Sequence, residues 1–513
     1  MRSQLAFRMV VSLGLVACGG TAGDDDTTAT VTRVALPQAL GGAMFANPDA
    51  YPTIPVHVAV DATGGEPPGV TVAVDGQTIA ALPDASGTGW VAQVPITALA
   101  DGDHALVATS GAVSAAAQLV IGRAGVQYTQ ISVDGNAGTP RLHRAGDRLF
   151  LTWTDRSATA RVAWKQEIDG AGRRVGDKVA LAGGPGRNDV LYARTALGTA
   201  TIGVVYQEAG GPYRSFFTIV ALDGTTQLAP VALDPPDRFG SYSGDVVFTG
   251  DGYDVVWRTN DGMGSSDVRW LHAAEAATSL TTAPLIAAAR GDGAPHAGFD
   301  PFTNVSVRRL GDASLVAFVR YRHDAALDLD LPRCQLATIR AGAVVSTELV
   351  DAGGGFFWDD DCRVLDDGTG PVVARAGKDL TSSEDNPRAV MFLTRVPLAP
   401  SRGAGAVSVS APETRSEPTL VATAAAPILA WSDARSYADD LSTGEVELYA
   451  APLGADLVTA PNVRFAHTHF IESTADIRGA ALGTNAMLVW IDERHGGTIL
   501  DPRPEVYLET AWQ

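Results

Sequence analysis

From about residue 33 onward the chain is written in short apolar runs, in which apolar and polar positions alternate and turn formers stand between. Pro55-Val56-His57-Val58-Ala59-Val60, Val70-Thr71-Val72-Ala73-Val74 and Gly89-Trp90-Val91-Ala92-Gln93-Val94 are early examples. A period of two puts successive side chains on opposite faces, the pattern of a half-buried strand. Asp75-Gly76, between two such runs, is the dipeptide of a tight hairpin turn. After the first twenty residues no stretch carries the roughly eighteen unbroken apolar positions of a membrane-crossing helix. The 55 glycines and 29 prolines fit many strands joined by turns. An all-β chain is predicted.

A longer period lies over this pattern. A strand closing on an aromatic residue recurs at Leu149–Trp153, Gly203–Tyr206, Asp254–Trp257, Leu315–Phe318, Pro371–Ala374 (where the aromatic is lost), Ile428–Trp431 and Met487–Trp490. The steps are about 53, 51, 61, 56, 57 and 59 residues. A polar loop and another strand follow each, as at Arg161–Trp164, Val268–Trp270, Glu445–Tyr449 and Glu505–Tyr507. Four short strands in some fifty residues make a propeller blade, which predicts seven blades over residues 126–513. The last unit runs out at Gln513 after its third strand, while Tyr128–Val133 precedes the first unit as a lone strand. Donating residues 128–133 to the last blade closes the ring and removes an open edge. A linear array of sandwiches, the competing arrangement, leaves this reciprocal deficit unexplained.

Three units share Trp153-Thr154-Asp155-Arg156, Trp431-Ser432-Asp433-Ala434-Arg435 and Trp490-Ile491-Asp492-Glu493-Arg494, with a degenerate form at Trp257-Arg258-Thr259-Asn260-Asp261. With the later Glu505-Val506-Tyr507 they resemble the Trp-x-Asp-x-Arg blades of bacterial exported propellers. The first unit departs by omitting one residue between Asp155 and Arg156. That family implies a fold and almost nothing about activity. Asp433, Arg435, Asp492 and Arg494 are carried forward as candidate binding residues, and as groups that tie the bases of loops together. Leu99-Ala100-Asp101-Gly102-Asp103-His104 resembles the penultimate hairpin of bacterial Ig-like modules. About ninety residues suit one such sandwich. The expected fold class is all-β: an N-terminal Ig-like β-sandwich, residues 33–122, followed by a seven-bladed β-propeller, residues 126–513. His104 reads as a packed or turn-facing residue of the sandwich.

The start of the chain addresses the compartment. Arg2 and Arg8 precede a short apolar run from Met9 to Ala17, the make-up of a secretory signal and too short to span a bilayer. It ends Leu15-Val16-Ala17-Cys18, which resembles the lipobox of bacterial lipoproteins. Residues 1–17 are then a signal peptide, Cys18 is the lipidated residue, and residues 18–32 are a flexible tether. Two or three acyl chains at about 0.8 kcal/mol per buried methylene hold such an anchor in the membrane. Gly19 after the cysteine, in place of Asp, favours the outer membrane; the periplasmic and surface sides both remain open.

The formal charge is −20, and removing Arg2 and Arg8 leaves 36 basic against 58 acidic residues. A nucleic-acid partner needs a basic footprint and is not expected. Only Lys165, Lys178 and Lys378 are lysines, so the arginine excess reads as base-composition bias and a single Arg says little about an anion site. Asp-boxes, a GxSxG elbow, HExxH and a phosphate loop are not found, and no cofactor or metal is expected. His467-Thr468-His469 puts two imidazoles on one side of a strand, yet a third ligand is not identifiable. Asp359, Asp360, Asp361, Asp366 and Asp367 supply hard oxygen ligands for calcium, or form an acidic surface loop. Cys334 and Cys362 remain as an even pair suited to a disulfide between adjacent blades. Three functions stand: a membrane-anchored envelope module that binds a protein or glycan on a propeller face, a polysaccharide hydrolase or lyase with its site in the funnel, and a purely structural envelope protein. Loop length in blades four to seven points to the face shared by the inter-blade links.

Replacing the lipidated thiol tests the anchor: Cys18→Ser should move the protein from the membrane to the soluble fraction on ultracentrifugation, and unchanged retention would require another anchor.

Overall fold

The computed structural model describes residues 29–123 and 137–511, apart from stretches between strands, the larger being 290–301, 380–387, 397–406, 409–417, 434–444 and 470–476. Residues 1–28, including Cys18, and the strand expected at 128–133 lie outside the described residues. Among those described, regular structure is strand throughout apart from one 3-10 turn at Leu40–Gly42.

The N-terminal part is two sheets packed face to face. One takes Thr30–Ala35, Thr53–Thr63, Trp90–Pro95 and Leu82–Pro83; the other takes Ala43–Ala46, Val113–Ile121, Gly102–Ser110, Val70–Val74 and Gln77–Ala80. The first strand opens at Thr30, ahead of the boundary expected at 33. Alternation in the sequence becomes the inner faces of the sandwich: Val34, Val56, Val58 and Val94 of one sheet meet Val72, Leu106 and Leu119 of the other. Asp75 and Gly76 turn with φ of 46° and 85°, both left-handed, as a two-residue hairpin loop requires. His104 is held in that turn, its Nδ1 2.6 Å from Asp75 Oδ2 and its Nε2 2.7 Å from Ala100 O.

Beyond it lie six four-stranded sheets and a seventh with three described strands, spanning 137–183, 190–232, 239–289, 302–349, 357–408, 419–469 and 478–511. Each is an antiparallel meander in chain order. The first strands of successive sheets lie against one another all the way round, and that of the seventh, Arg478–Leu482, lies against that of the first, Ala137–Ala145. Sheets arranged round an axis in this way are a β-propeller.

What holds the ring is one apolar cluster per gap between sheets. Leu181 and Ala182 meet Ile202 and Val204; Val205 and Phe217 meet Val246 and Val255; Val256 and Trp270 meet Val307 and Val316. The series continues through Leu336 against Val364, Met391 against Trp431, and Leu448 against Trp490. It returns to its start where Met487, Val489 and Leu508 of the seventh sheet pack on Leu149, Leu151 and Trp153 of the first. The second-strand aromatics serve these gaps, and Trp257, Trp431 and Trp490 are buried entirely. Burying one such side chain is worth about 1.5–3 kcal/mol.

The fifth sheet corrects the sequence alignment. Pairing sets Arg363 opposite Ala374, so the place taken elsewhere by the aromatic falls to Arg375. Ala374 turns to the following gap, while Arg375 is buried, donates to Val350 O at 2.9 Å and lies 5.3 Å over the Phe392 ring. Cys334, on the third strand of the fourth sheet, is bonded to Cys362 on the first strand of the fifth, with Cα atoms 5.4 Å apart.

The sandwich docks on one face of the ring. In a meander the turns joining strands one to two and three to four lie at one end, and the loops joining two to three lie at the other with the inter-sheet links. Leu40 O accepts from Gly170 N at 2.7 Å, in the three-to-four turn of the first sheet. A Cβ on Gly170 would stand 2.3 Å from Ala43 O, so only glycine fits there. Arg173 in the same turn reaches Asp103 at 3.0 Å and Gln118 at 2.9 Å. Thr484, in the one-to-two turn of the seventh sheet, meets His57 Nε2 at 2.9 Å. The face carrying the links and two-to-three loops points away from the sandwich.

The disulfide closes a 28-residue separation across one gap of the ring. By chain entropy it should contribute about 3–4 kcal/mol. Paired replacement of Cys334 and Cys362 by Ala should lower the urea midpoint, and an unchanged midpoint would count against it.

Candidate functional site

The ring brings one residue from every sheet to its axis. In six sheets the residue of the first strand paired with the position before the second-strand aromatic is Arg141, Arg194, Asp245, Ser306, Thr419 or Arg478, opposite Thr152, Val205, Val256, Ala317, Ala430 and Val489. Arg363 is the seventh, opposite Ala374. Each stands twelve residues ahead of Trp153, Tyr206, Trp257, Phe318, Arg375, Trp431 or Trp490, because hairpins of matched length link the strands. All seven line one cavity of about 170 Å³ at the axis, together with Tyr192, Arg308 and Asp361. Since Tyr192, Gly244, Val305, Asp361 and Pro418, which precede the axial residues of their sheets along the chain, also line it, the cavity lies towards the face with the links.

Four of the seven axial residues are arginines, one is Asp, and two carry hydroxyls. With Arg308 and Asp361 the described charged lining is five guanidiniums against two carboxylates. Guanidinium stays charged at any physiological pH. Asp245 is the hub: its Oδ1 accepts from Arg141 Nη2 at 3.0 Å, and its Oδ2 from Val307 N at 3.1 Å and Arg308 Nη1 at 3.4 Å. Its side chain is 5% exposed. Burial alone pushes its carboxyl up, but Arg141, Arg308, the Val307 N–H and Arg194 together hold it below the ordinary carboxylate range. Asp361 Oδ2 accepts from Arg363 Nε at 2.6 Å, and its Oδ1 accepts from Cys362 N at 2.9 Å. Ser306 Oγ accepts from Val364 N at 2.8 Å, a bond that ties the fourth sheet to the fifth and leaves the hydroxyl proton for another acceptor.

Towards the sandwich face a second chamber, about 410 Å³, shares Arg141, Arg308, Thr419 and Arg478 with the first. Leu142, Leu197, Phe248 and Leu420 add apolar wall. His143 stands there 2.8 Å from Thr195 Oγ1, and burial, aided by Arg141, pushes its pKa down to about 3, so the ring is neutral in use.

Of the residues singled out from sequence, Asp361 is among those lining the axial cavity. Asp433 and Asp492 end second strands of the sixth and seventh sheets, paired with Glu447 and Glu505, and only their backbone is described. Arg435 and Arg494 lie outside the described residues. His467 and His469 sit on the outermost strand of the sixth sheet, their backbone paired with Glu447 and Glu445. None of these is among the described residues lining the axial cavity. The acidic cluster is drawn apart: Asp361 is at the axis, while Asp366 and Asp367 sit in the turn at the far end of the strand, where Asp367 pairs with Arg395 at 2.6 Å. Among the described residues no three His, Cys, Asp or Glu side chains gather to hold a metal. Arg141, Arg194, Arg308, Arg363 and Arg478 were missed as a site. The twelve-residue offset from the aromatics was the signal, legible only with the strand register.

No protein-family model matches the chain, and no match is found among curated proteins. Among solved structures the chain is similar to Drosophila Semaphorin 2a, at 8% identity and a TM-score of 0.43 over 73% of this chain and 74% of that one. It is similar to a DUF4623 family protein from Bacteroides eggerthii, at 10% identity and a TM-score of 0.38 over 90% of each chain. A quinonprotein alcohol dehydrogenase-like protein from Bacteroides thetaiotaomicron is matched at 10% identity and a TM-score of 0.37, over 85% of this chain and 97% of that one. At this distance the likenesses bear on neither ligand nor activity.

Asp245 is held ionised by its arginines, so its contribution to stability is present above pH 3.8 and fades as pH falls through its lower folded value. Asp245→Asn should therefore lower the Tm at pH 7, with a cost in the about 3–5 kcal/mol range of broken buried pairs. Parent and variant should converge as the pH falls through that folded value; a gap that stays constant into acid would remove the ion pairs as the cause.

Proposed function

We propose that this chain is a binding module of the bacterial cell envelope. In this reading Cys18 anchors it by lipid, residues 18–32 are the tether, and an Ig-like sandwich carries a seven-bladed propeller that offers its outer face to a glycan or protein. The observation that carries the proposal is the axial cavity. It is lined by one polar or charged side chain from each of seven sheets and lies towards the face opposite the docked sandwich. A rigid ring that converges so many polar groups on one point supports a recognition role. The link-side face is also where the sequence concentrates loop length.

A hydrolase or lyase in the same funnel is the second reading, and the electrostatics favour it less. Glycoside cleavage needs a carboxyl group that stays protonated to serve as general acid. Asp245 is held ionised by Arg141 and Arg308, and Asp361 is bonded to Arg363. Both carboxylates serve to position arginines.

Filling the cavity tests the site. The full chain carrying Cys18→Ser should retain a glycan on an array. Adding Thr419→Trp should abolish that retention at an unchanged Tm, and adding Asp312→Ala, in a turn on the sandwich face, should leave it. No retained glycan, or equal retention by the filled cavity, would overturn the proposal.

A further inference from the structure

The first and seventh sheets are the two ends of the array, and theirs is the one gap of the ring whose two sheets are not consecutive along the chain. Elsewhere a short link holds each sheet beside the next. Bringing distant segments together costs loop-closure entropy that a short link largely spares. The closing gap is therefore the seam at which the ring has least to hold it.

We infer that residues 38–46 of the sandwich are the clasp of the ring, a strap laid across the first and seventh sheets that holds the closing gap shut. The strap begins at the buried Gln38, whose Nε2 donates to Thr484 Oγ1 at 3.4 Å, in the one-to-two turn of the seventh sheet. Gln38 Oε1 accepts from His57 N at 3.0 Å, and His57 Nε2 lies 2.9 Å from the same Thr484 hydroxyl. Two residues on, the strap reaches the first sheet: the turn Leu40–Gly42 lies against Arg148–Asp155, its second strand. Ala43–Ala46 then lies against Glu505–Ala511 of the seventh sheet, and Ala43 and Phe45 cluster with Ala171 in the three-to-four turn of the first.

Leu40 is what makes this a clasp. It is 5% exposed and joins the apolar cluster of the closing gap, with Leu149 and Trp153 of the first sheet and Leu482, Met487 and Leu508 of the seventh. Among the described residues it is the one member of that cluster from outside the ring, and the clusters of the other six gaps take every member from the ring. A spacer needs only surface contacts, such as Arg173 with Asp103. A leucine set into the seam loses its dry site when the two sheets part, so docking and closure stabilise each other.

The ring is shaped to receive the strap. Asp169 Oδ1 accepts from Ala171 N at 2.9 Å and Arg173 N at 2.8 Å, which fixes the turn of the first sheet. In that turn Gly170 N donates to Leu40 O at 2.7 Å, and a Cβ on Gly170 would stand 3.0 Å from Leu40 N and Leu40 O as well as against Ala43 O. A Cβ on Gly172 would come 1.9 Å from Leu508 Cδ1 of the seventh sheet. One turn thus touches both the strap and the sheet across the seam.

The test is hydrogen exchange read by mass spectrometry on the full chain carrying Cys18→Ser, alone and with Leu40→Ala, Gly170→Ala or Thr484→Val. The first empties the seam, the second pushes the strap off, and the third keeps the side chain's shape while removing the hydroxyl that holds Gln38 and His57. Leu40→Ala and Gly170→Ala should each speed exchange across residues 137–183 and 478–511 by about tenfold or more, the scale of losing a buried leucine. The fourth and fifth sheets, and Val70–Val74 within the sandwich, should keep the parent's protection. Thr484→Val should give the same pattern at smaller size, and it needs no cavity or clash to be tolerated by the fold. Faster exchange confined to the sandwich would overturn the inference, since the strap would then only be docked. Equal acceleration in all seven sheets, or no change in any of the three variants, would overturn it too.

Discussion

Everything distinctive about this molecule depends on a packing problem solved seven times. A four-stranded meander buries its apolar side chains only by lying against another sheet, and its twist prevents two such sheets from covering each other completely. The chain answers by laying each sheet on the one before and then bringing the last onto the first. The gap between Met487, Val489 and Leu508 on one side and Leu149, Leu151 and Trp153 on the other is built like the six other gaps. Closure in this sense is an apolar interface between sheets, and it stands apart from any question of which strand completes the last one. Because the interface is dispersion and dehydration, it has no directional preference, and the register of each hairpin decides what points inward.

Register is where packing becomes chemistry. Seven hairpins of matched length each place one residue at the same height on the axis. Four of these are arginines, which in an open strand would be solvated apart from one another. Assembled, they need a counter-charge, and Asp245 supplies it to Arg141 and Arg308 while the backbone of Val307 supports the carboxylate from behind. Asp361 does the same for Arg363 from the same strand. These pairings make the layer tolerable to the fold. Arg375 shows the other use of the same residue type, buried in a gap, bonded to Val350 O and stacked over Phe392 in place of an aromatic. In this chain an arginine's meaning is set by which side of the strand it occupies.

The docking of the sandwich gives the ring a direction. Gly170, Arg173 and Thr484 fix the sandwich to the turns of the first and seventh sheets, at the junction where the ring meets itself. The described contacts of the sandwich fall on this face alone. The two chambers are joined through Arg141, Arg308, Thr419 and Arg478, with the neutral His143 and apolar walls on the sandwich side.

The apolar alternation, the turn dipeptides and the recurrence of strands ending in an aromatic made the all-β class, the repeat and the position of nearly every second strand legible from sequence. These are local or periodic features, and a strand's period of two survives in any context. The pairing of Cys334 with Cys362 followed from there being two cysteines on neighbouring units. The alignment of the fifth unit at Ala374 could not be better placed, since Arg375 mimics an aromatic only once Phe392 and Val350 O surround it. The motif residues Asp433, Arg435, Asp492 and Arg494, and the pair His467 and His469, drew notice as local patterns. The axial arginines are far apart in sequence, sit singly in ordinary strands and belong to a chain rich in arginine, so nothing local sets them off. They become a site because seven hairpins share one register and the ring closes. Convergence of that kind is a property of the tertiary structure alone, since only closure brings residues 141 and 478 to the same few ångströms.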